Sequence, residues 1–421
     1  MNPLTALFGE ESSVVGDRSM GLLLLVNLSP PLGTALVSPL LDTLTSPYAV
    51  SEARVGLMIT AFTAPSIVLI PLVGTLSDRA GRKPVMLVGL LLFGVGGTAL
   101  AFTTDFEIVL ALRFVQGIGF AGLTPIIVTS LGDLYEDNEE ATAQGIRFAS
   151  SGLVLMTFPL LGGALVAVAW NLPFVLYVLP FPVAILLWRY FEEPIEPTAA
   201  TTSGGREQVR ALAGLIRQPR VAAVLVGRSV PNFLYIAFLT YNSFVVVRAI
   251  GGSPEEAGLL VAVTSVAHTG AATQAGRITA LFTSRLWPLV GATVSMALGL
   301  IVVGLAPVLS LALLGGAAIG TGFGVSLSLY RSAITGLSVR FRGGLVSTGS
   351  SLGRVGATVA PLAMGAAVSM LTGTLGFAAA VRWTVVATGL VSGVVGLLCL
   401  AIVGLSPPVE PAPPSIVPTE T

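Results

Sequence analysis

The chain has 421 residues, of which 54% are hydrophobic and only 10% charged, with no formal net charge and a mean hydropathy of +0.90. Soluble chains of this length carry about a quarter charged residues, so a water-covered globule is excluded and lipid must cover much of the apolar surface. Zero net charge excludes the global positive field of a nucleic-acid binder, and the single cysteine, Cys399, excludes an internal disulfide and any multi-cysteine metal site.

Residues 1–19 carry Glu10, Glu11 and Asp17 where a signal peptide would be basic, and are read as a cytoplasmic tail. Twelve apolar segments follow, each about as long as a membrane-crossing helix. They are 20–41, 54–74, 84–103, 107–132, 143–167, 171–191, 220–247, 255–275, 286–307, 309–333, 344–370 and 382–404. The first is the least regular, with Asn27, Pro30, Pro31 and Pro39. Between the sixth and seventh lies a Pro-, Thr-, Ser- and Gly-rich linker, 192–219, whose residues 206–217 are expected to form a short amphipathic helix on the membrane surface. The tail 405–421 is proline-rich and expected to be disordered.

The expected fold class is therefore an all-α membrane protein with twelve transmembrane helices. With both termini cytoplasmic, the inner segments hold fourteen basic residues and the outer ones only Arg54, Arg248 and Arg382, so the positive-inside rule selects that orientation. Four arginines lie within spans: Arg113, Arg147, Arg228 and Arg354.

The chain also repeats itself. At an offset of 202, Ser51, Gly56 and Leu57 meet Ser253, Gly258 and Leu259; Gly74 meets Gly276, Lys83 meets Arg285, and Pro159 and Gly163 meet Pro361 and Gly365. One nearly constant offset over four spans implies duplication into two pseudo-symmetric six-helix halves, 20–191 and 220–404. Six spans per half make the repeats parallel, related by an axis along the membrane normal.

One short turn gathers charge: GTLSDRAGRKP, residues 74–84. It resembles the signature of the major facilitator superfamily between helices two and three, G-x-L-x-D-R-x-G-R-K/R, through Gly74, Leu76, Asp78, Arg79, Gly81, Arg82 and Lys83. The resemblance covers residues 20–404 and implies a secondary transporter rather than an enzyme. A basic stop in a water-exposed turn would explain the charge alone; the Asp and the two glycines exceed that need. By resemblance, Asp78, Arg79 and Arg82 form a cytoplasmic gate holding the halves together, with Asp133, ending span four, as the acidic partner. The second-half copy, GRITALFTSR, lacks the Asp.

RFVQGIGFA, residues 113–121, resembles the family's helix-four motif R-x-x-Q-G-x-G. Arg113, Gln116 and Gly117 share one helical face. A central Arg costs roughly 2.5–3.5 kcal/mol to insert, so it faces either a wet pathway, where the resemblance implies proton transfer, or backbone carbonyls as a packing residue. GIGFAG also fits G-x-G-x-x-G, but inside an apolar span close helix packing is the better reading. Gly145, Pro159, Gly162 and Gly163 resemble the antiporter motif of helix five, although Val154 and Phe158 stand where glycines belong.

In the second half, Arg228, Asn232, Tyr235 and Asn242 make one polar row, Ser347, Ser351, Arg354 and Thr358 another, and Thr264 and His268 lie one turn apart. Such faces turn toward a cavity or bind helices together. No Asp or Glu lies deep in any span, and none at all between Glu256 and Glu410. Exporters of cationic drugs in this family often bury a carboxylate. A set made of Arg113, Arg147, Arg228, His268 and Arg354 should instead repel cations and attract anions. His268, the only histidine, titrates near pH 6.5 when unperturbed and is either a proton carrier or a neutral hydrogen-bonding residue.

No G-x-x-x-x-G-K-[ST] loop is present, so transport is passive or ion-coupled. One charge falling through 100 mV supplies roughly 2.3 kcal/mol. The expectation is a proton-linked exporter of neutral or anionic organic solutes, monomeric in the plasma membrane, using alternating access. An uptake symporter or organic-anion exchanger on the same fold is the alternative, and a non-transporting sensor a third reading. Expected partners are a small-molecule substrate, protons and the lipid bilayer, with no nucleic acid and no cofactor.

Overall fold

A computed structural model describes residues 13–194, 206–338 and 341–407. The first twelve residues of the expected tail, part of the linker and nearly all of the C-terminal tail lie outside the described residues. Within them every regular element is helical.

The first half contains α1 (Arg18–Leu44), α2 (Glu52–Ala80), α3 (Arg82–Phe102), α4 (Phe106–Leu134), α5 (Asp137–Val168) and α6 (Leu172–Tyr190). A linker helix, Arg206–Ile216, precedes α7 (Pro219–Ile250), α8 (Pro254–Ala280), α9 (Leu286–Leu305), α10 (Leu309–Leu337), α11 (Arg342–Leu375) and α12 (Phe377–Leu405). Successive helices run antiparallel, which gives the bundle a basic end, marked by the turn at Gly81, and a far end, marked by the turns at 45–51 and 251–253.

Local chemistry explains the breaks. α1 is split into Arg18–Asn27, Ser29–Ala35 and two shorter turns, because Pro30, Pro31 and Pro39 each remove a backbone donor. Starts are capped where the sequence supplies an oxygen. Asp17 accepts from Ser19 N at 3.0 Å, Asp105 from Glu107 N at 2.9 Å, and Ser253 and Glu256 form a reciprocal capping box ahead of α8. Between α2 and α3 the chain turns at Gly81 with φ +94°, a conformation that disfavours any side chain.

Eleven of the helices are long and apolar enough to cross a bilayer. The segment expected at 255–275 differs. It forms a continuous 27-residue helix, α8, but is not among those eleven. Thr264, Ser265, His268, Thr269, Thr273 and Gln274 dilute its apolar character. It is nevertheless clasped: Gly316, Gly320 and Gly324 of α10 bring that helix onto Thr264 and the carbonyl of His268 with no room for a Cβ.

Two hydrophobic cores organise the packing. One is continuous across both halves and draws its second-half members from the far-end portions of α7, α8, α9, α10, α11 and α12. The other belongs to the second half alone, at the basic end, around Val221, Leu225, Leu289, Tyr330, Leu345 and Leu400. Leu212, Leu215 and Ile216 of the linker helix pack on this second core. The halves thus share a core at the far end and part toward the basic end.

Candidate transport site and its gates

At the basic end, Arg82 is the hub of the α2–α3 turn. Its Nη1 donates to Asp78 Oδ1 and to Ser77 Oγ, both at 2.6 Å, and its Nε donates to Asp133 Oδ2 at 2.9 Å. Glu193 closes the turn from beyond α6, accepting from Arg82 N at 2.5 Å and from Lys83 N at 2.9 Å. Lys83 Nζ donates to Phe191 O at 2.6 Å. Arg79 and Asp78 are exposed, and Gly74 has nothing within 4 Å of where a Cβ would stand. Every one of these partners lies in the first half, so in this state the turn clamps α2, α3, α4 and α6 to one another. Glu193 has no place in the motif; its position just past a span gives no sequence signal.

At the far end the two halves are locked together. Asn242 Nδ2 donates to Ser38 Oγ at 2.6 Å, Ser38 Oγ donates to Leu239 O at 2.5 Å, and Asp42 N donates to Ser243 Oγ at 2.8 Å. Arg248 Nε reaches Asp42 Oδ1 at 2.7 Å, with the Asp42 side chain 7% exposed. This α1–α7 seam was not legible beforehand, because Asp42 and Arg248 each look like ordinary loop-end charges. A second seam joins α2 to α11: Thr60 Oγ1 donates to Thr358 O at 3.3 Å, and Thr358 Oγ1 donates to Thr63 Oγ1 at 3.1 Å. The third joins α5 to α8. A Cβ on Gly163 would stand 2.6 Å from Pro254 O, and one on Gly162 would stand 2.9 Å from Leu36. Gly258 meets the carbonyl of Pro159 in the same way. Gly145, at the other end of α5, has nothing within 4 Å. The helix-five residues therefore divide: Pro159 and Gly163 make the far-end closure with α8, Gly162 packs on Leu36 of α1 within the first half, and Gly145 lies outside both contacts.

Between the gates the expected pathway residues separate into three groups. Arg113 is fully buried. Its Nε donates to Met58 O at 3.0 Å, its Nη2 to Gly33 O at 2.5 Å and its Nη1 to Gln116 Oε1 at 2.5 Å, with the guanidinium 4.6 Å from the Phe62 ring. Gln116 is equally buried, and its Nε2 has no partner among the described residues. This is the carbonyl-bonded arrangement, within the first half.

The second group is aromatic. Tyr235 stacks on Phe323 at 4.3 Å, and the His268 ring lies 5.0 Å from Phe323. Among the described residues neither nitrogen of His268 has a hydrogen-bond partner.

The third group is cationic. Gly353 of α11 lies against the Asn232 amide and 3.5 Å, at its would-be Cβ, from Arg228 Nη1, an atom with no partner. Arg354 places its guanidinium 4.8 Å from the ring of Phe120, a residue of the first half. Arg331, exposed on α10, is near enough to repel both Arg147 and Arg228, and Arg228 in turn repels Arg354. Arg147 Nε donates to Gln144 Oε1 at 3.0 Å. Four arginines thus converge with no carboxylate acting on Arg147, Arg228 or Arg354 among the described residues, on helices that part toward the basic end. The contribution of Arg331 depends on the tertiary arrangement. A site of this sign in low dielectric stabilises an anion and repels a cation.

The family model described as Major Facilitator Superfamily matches residues 23–248. The "Bacillibactin exporter" of Bacillus subtilis is 36% identical over 158 residues, which is 35% of this chain and 39% of that protein. The "Quinolone resistance protein NorA" of Staphylococcus aureus is 25% identical over 350 residues in one strain, 80% of this chain and 86% of that protein. In other strains that match spans 59% of the relative, so the chain matches well under two thirds of the length of most of these curated relatives. Among solved structures, a bacterial homologue of the human lysosomal transporter Spinster, inward-facing and unoccupied, superposes with a TM-score of 0.75 at 18% identity, covering 96% of this chain and 98% of that one.

Proposed function

The chain belongs to the Major Facilitator Superfamily, and from that premise we propose that it exports small neutral or anionic organic solutes by proton-linked alternating access. It is a multi-pass membrane transporter of the plasma membrane and not an enzyme. In this reading α8 is the twelfth crossing, the two six-helix halves (20–191 and 220–404) rock as units, and both termini face the cytoplasm. The basic end is then the inner side, as the positive-inside rule requires, and the state described is open inward.

The observation that carries the reading is the asymmetry of closure. Three inter-half seams and a shared core lie at the far end, while at the basic end the halves keep separate partners. Such a molecule can receive a solute from one side only until the seams break. The four convergent arginines favour an anionic group on that solute. Export as the direction is supported by the similarity to the "Bacillibactin exporter".

The test is transport in sealed vesicles under an imposed pH gradient. A set of organic anions and cations of matched size is presented to the inner face. The expected result is gradient-dependent movement of anions and none of cations; preference for lipophilic cations would overturn the substrate assignment. His268→Gln is expected to change the pH dependence if His268 carries the proton. An unchanged profile would remove it from the pathway. The arginine cluster favours one second reading, exchange of one organic anion for another, which would show as counterflow insensitive to the pH gradient.

A further inference from the structure

The second-half counterpart of the Arg82 turn has lost its acids. At the repeat offset of 202, Lys83 corresponds to Arg285, but Asp78 corresponds to Ala280 and Asp133 to Thr335. In the first half the basic residues are surrounded by Asp78, Asp133 and Glu193. In the second half there is instead a cleft of about 420 Å³. Arg220 and Arg285 stand in its wall with Ser284 and Ser332, and among the described residues no acidic one lines it.

The charges there are held but not neutralised. Arg220 Nη1 donates to Ser406 O at 2.9 Å, and Arg285 Nη1 donates to Ser332 Oγ at 2.8 Å. Both acceptors are neutral, and a guanidinium has five N–H donors, so most of each fork remains available to an oxyanion. The floor is of the opposite character. Val224, Leu289, Leu400 and Val403, each under 10% exposed, form an apolar bed below the arginines. The surrounding surface carries Leu281, Phe282, Trp287 and Leu405, all exposed, as expected of a rim lying in the plane of a bilayer interface, where Trp is favoured.

We propose that this cleft binds the phosphodiester headgroup of an anionic phospholipid, with the start of an acyl chain along the apolar floor. The chemistry is divided as such a molecule is divided: two guanidinium forks at the water boundary and aliphatic side chains beneath. A free phosphate has no use for the floor, and a zwitterionic lipid brings a cation toward two arginines. The site is separate from the arginine cluster of the transport pathway and does not depend on what that pathway carries. Its origin is the duplication: the position that holds carboxylates in one half takes an external anion in the other.

The test uses the full chain with Trp287 as its only tryptophan (Trp170, Trp188 and Trp383→Phe), placed in bilayer discs. Quenching of Trp287 by brominated phosphatidylglycerol is compared with quenching by brominated phosphatidylcholine. Each arginine near an anionic headgroup is worth about 1 kcal/mol, or about a fivefold preference. Arg220→Gln with Arg285→Gln is therefore expected to abolish an excess that Arg220→Lys with Arg285→Lys largely keeps. Gly336 lines the cleft and has open space around it. Gly336→Phe should fill the cleft and remove the excess with both arginines intact, which keeps the test alive if the arginine variants do not fold. Arg277→Gln, an exposed arginine outside the cleft, should leave the excess unchanged. Equal quenching by the two lipids, or an excess that survives Gly336→Phe, would overturn the proposal. Reversal of the excess by millimolar inorganic phosphate would assign the cleft to a free anion instead, and would overturn it too.

Discussion

Arg82 shows how one side chain organises an end of a bundle. It is the buried member of a network with Ser77, Asp78 and Asp133, and its own backbone N–H is bound by Glu193. Glu193 thereby serves as a distant cap for α3, satisfying two of the donors that a helix start leaves open. Glu193→Ala is expected to lower stability by about 1 kcal/mol, in the range of lost caps, measured by thermal unfolding in detergent. At the far end Asp42 depends on Arg248. Breaking a fully buried pair costs roughly 3–5 kcal/mol. The Arg248 side chain is 48% exposed, so solvent screening reduces this to about 1–2 kcal/mol. Arg248→Gln alone should bias the molecule toward far-end opening by about five- to thirtyfold, read as labelling of Ala257→Cys, a buried position at the far end of α8. Asp42→Asn added to Arg248→Gln should return part of that shift, since the stranded charge is then gone. A double variant no different from the single one would place the lock elsewhere.

Among the elements, α5 and α8 form the closure most sensitive to size. Gly163 and Gly258 let backbones meet where a single methyl would collide. Gly163→Val is expected to force the far ends of α5 and α8 apart and abolish transport. Gly145→Ala, at an open position of the same helix, should transport normally. Equal loss in both variants would point to helix stability rather than to closure. The α8 helix also shows why a hydropathy window has limits. Thr264 and His268 are tolerable because α10 covers them, and Thr269 because α5 does, while Thr273 and Gln274 toward the basic end are exposed; a linear sequence does not record which neighbour will shield which face.

For the whole molecule, the decisive feature is that the core is shared at one end and divided at the other. In the proposed rocking, the sealed end is exchanged without repacking either half internally. Spin labels on Asp137→Cys and Arg277→Cys report the basic ends of α5 and α8. Their separation is expected to shorten when the far-end Arg248→Gln lock is broken, while a far-end pair on Val168→Cys and Gly251→Cys lengthens. Movement of only one pair would argue for local gate opening rather than rocking of two halves.

The amino-acid sequence by itself determined the solvent of this protein, the position of nearly every helix and the turn chemistry between them. Those properties follow from local facts: apolar length, proline and glycine positions, and capping oxygens. The sequence also singled out the residues that bear charge within the spans, and it placed Asp133 near the turn that holds Arg82. What only the tertiary structure decided was which of these residues meet. Arg113 lies among carbonyls in one half, Arg147, Arg228, Arg331 and Arg354 converge from both halves, and Asp42 finds Arg248 some two hundred residues away. The physical reason is that a charge in a bilayer is tolerated only through its neighbours, and those neighbours are set by how helices pack across the interface between the two halves, which no local window of the chain contains.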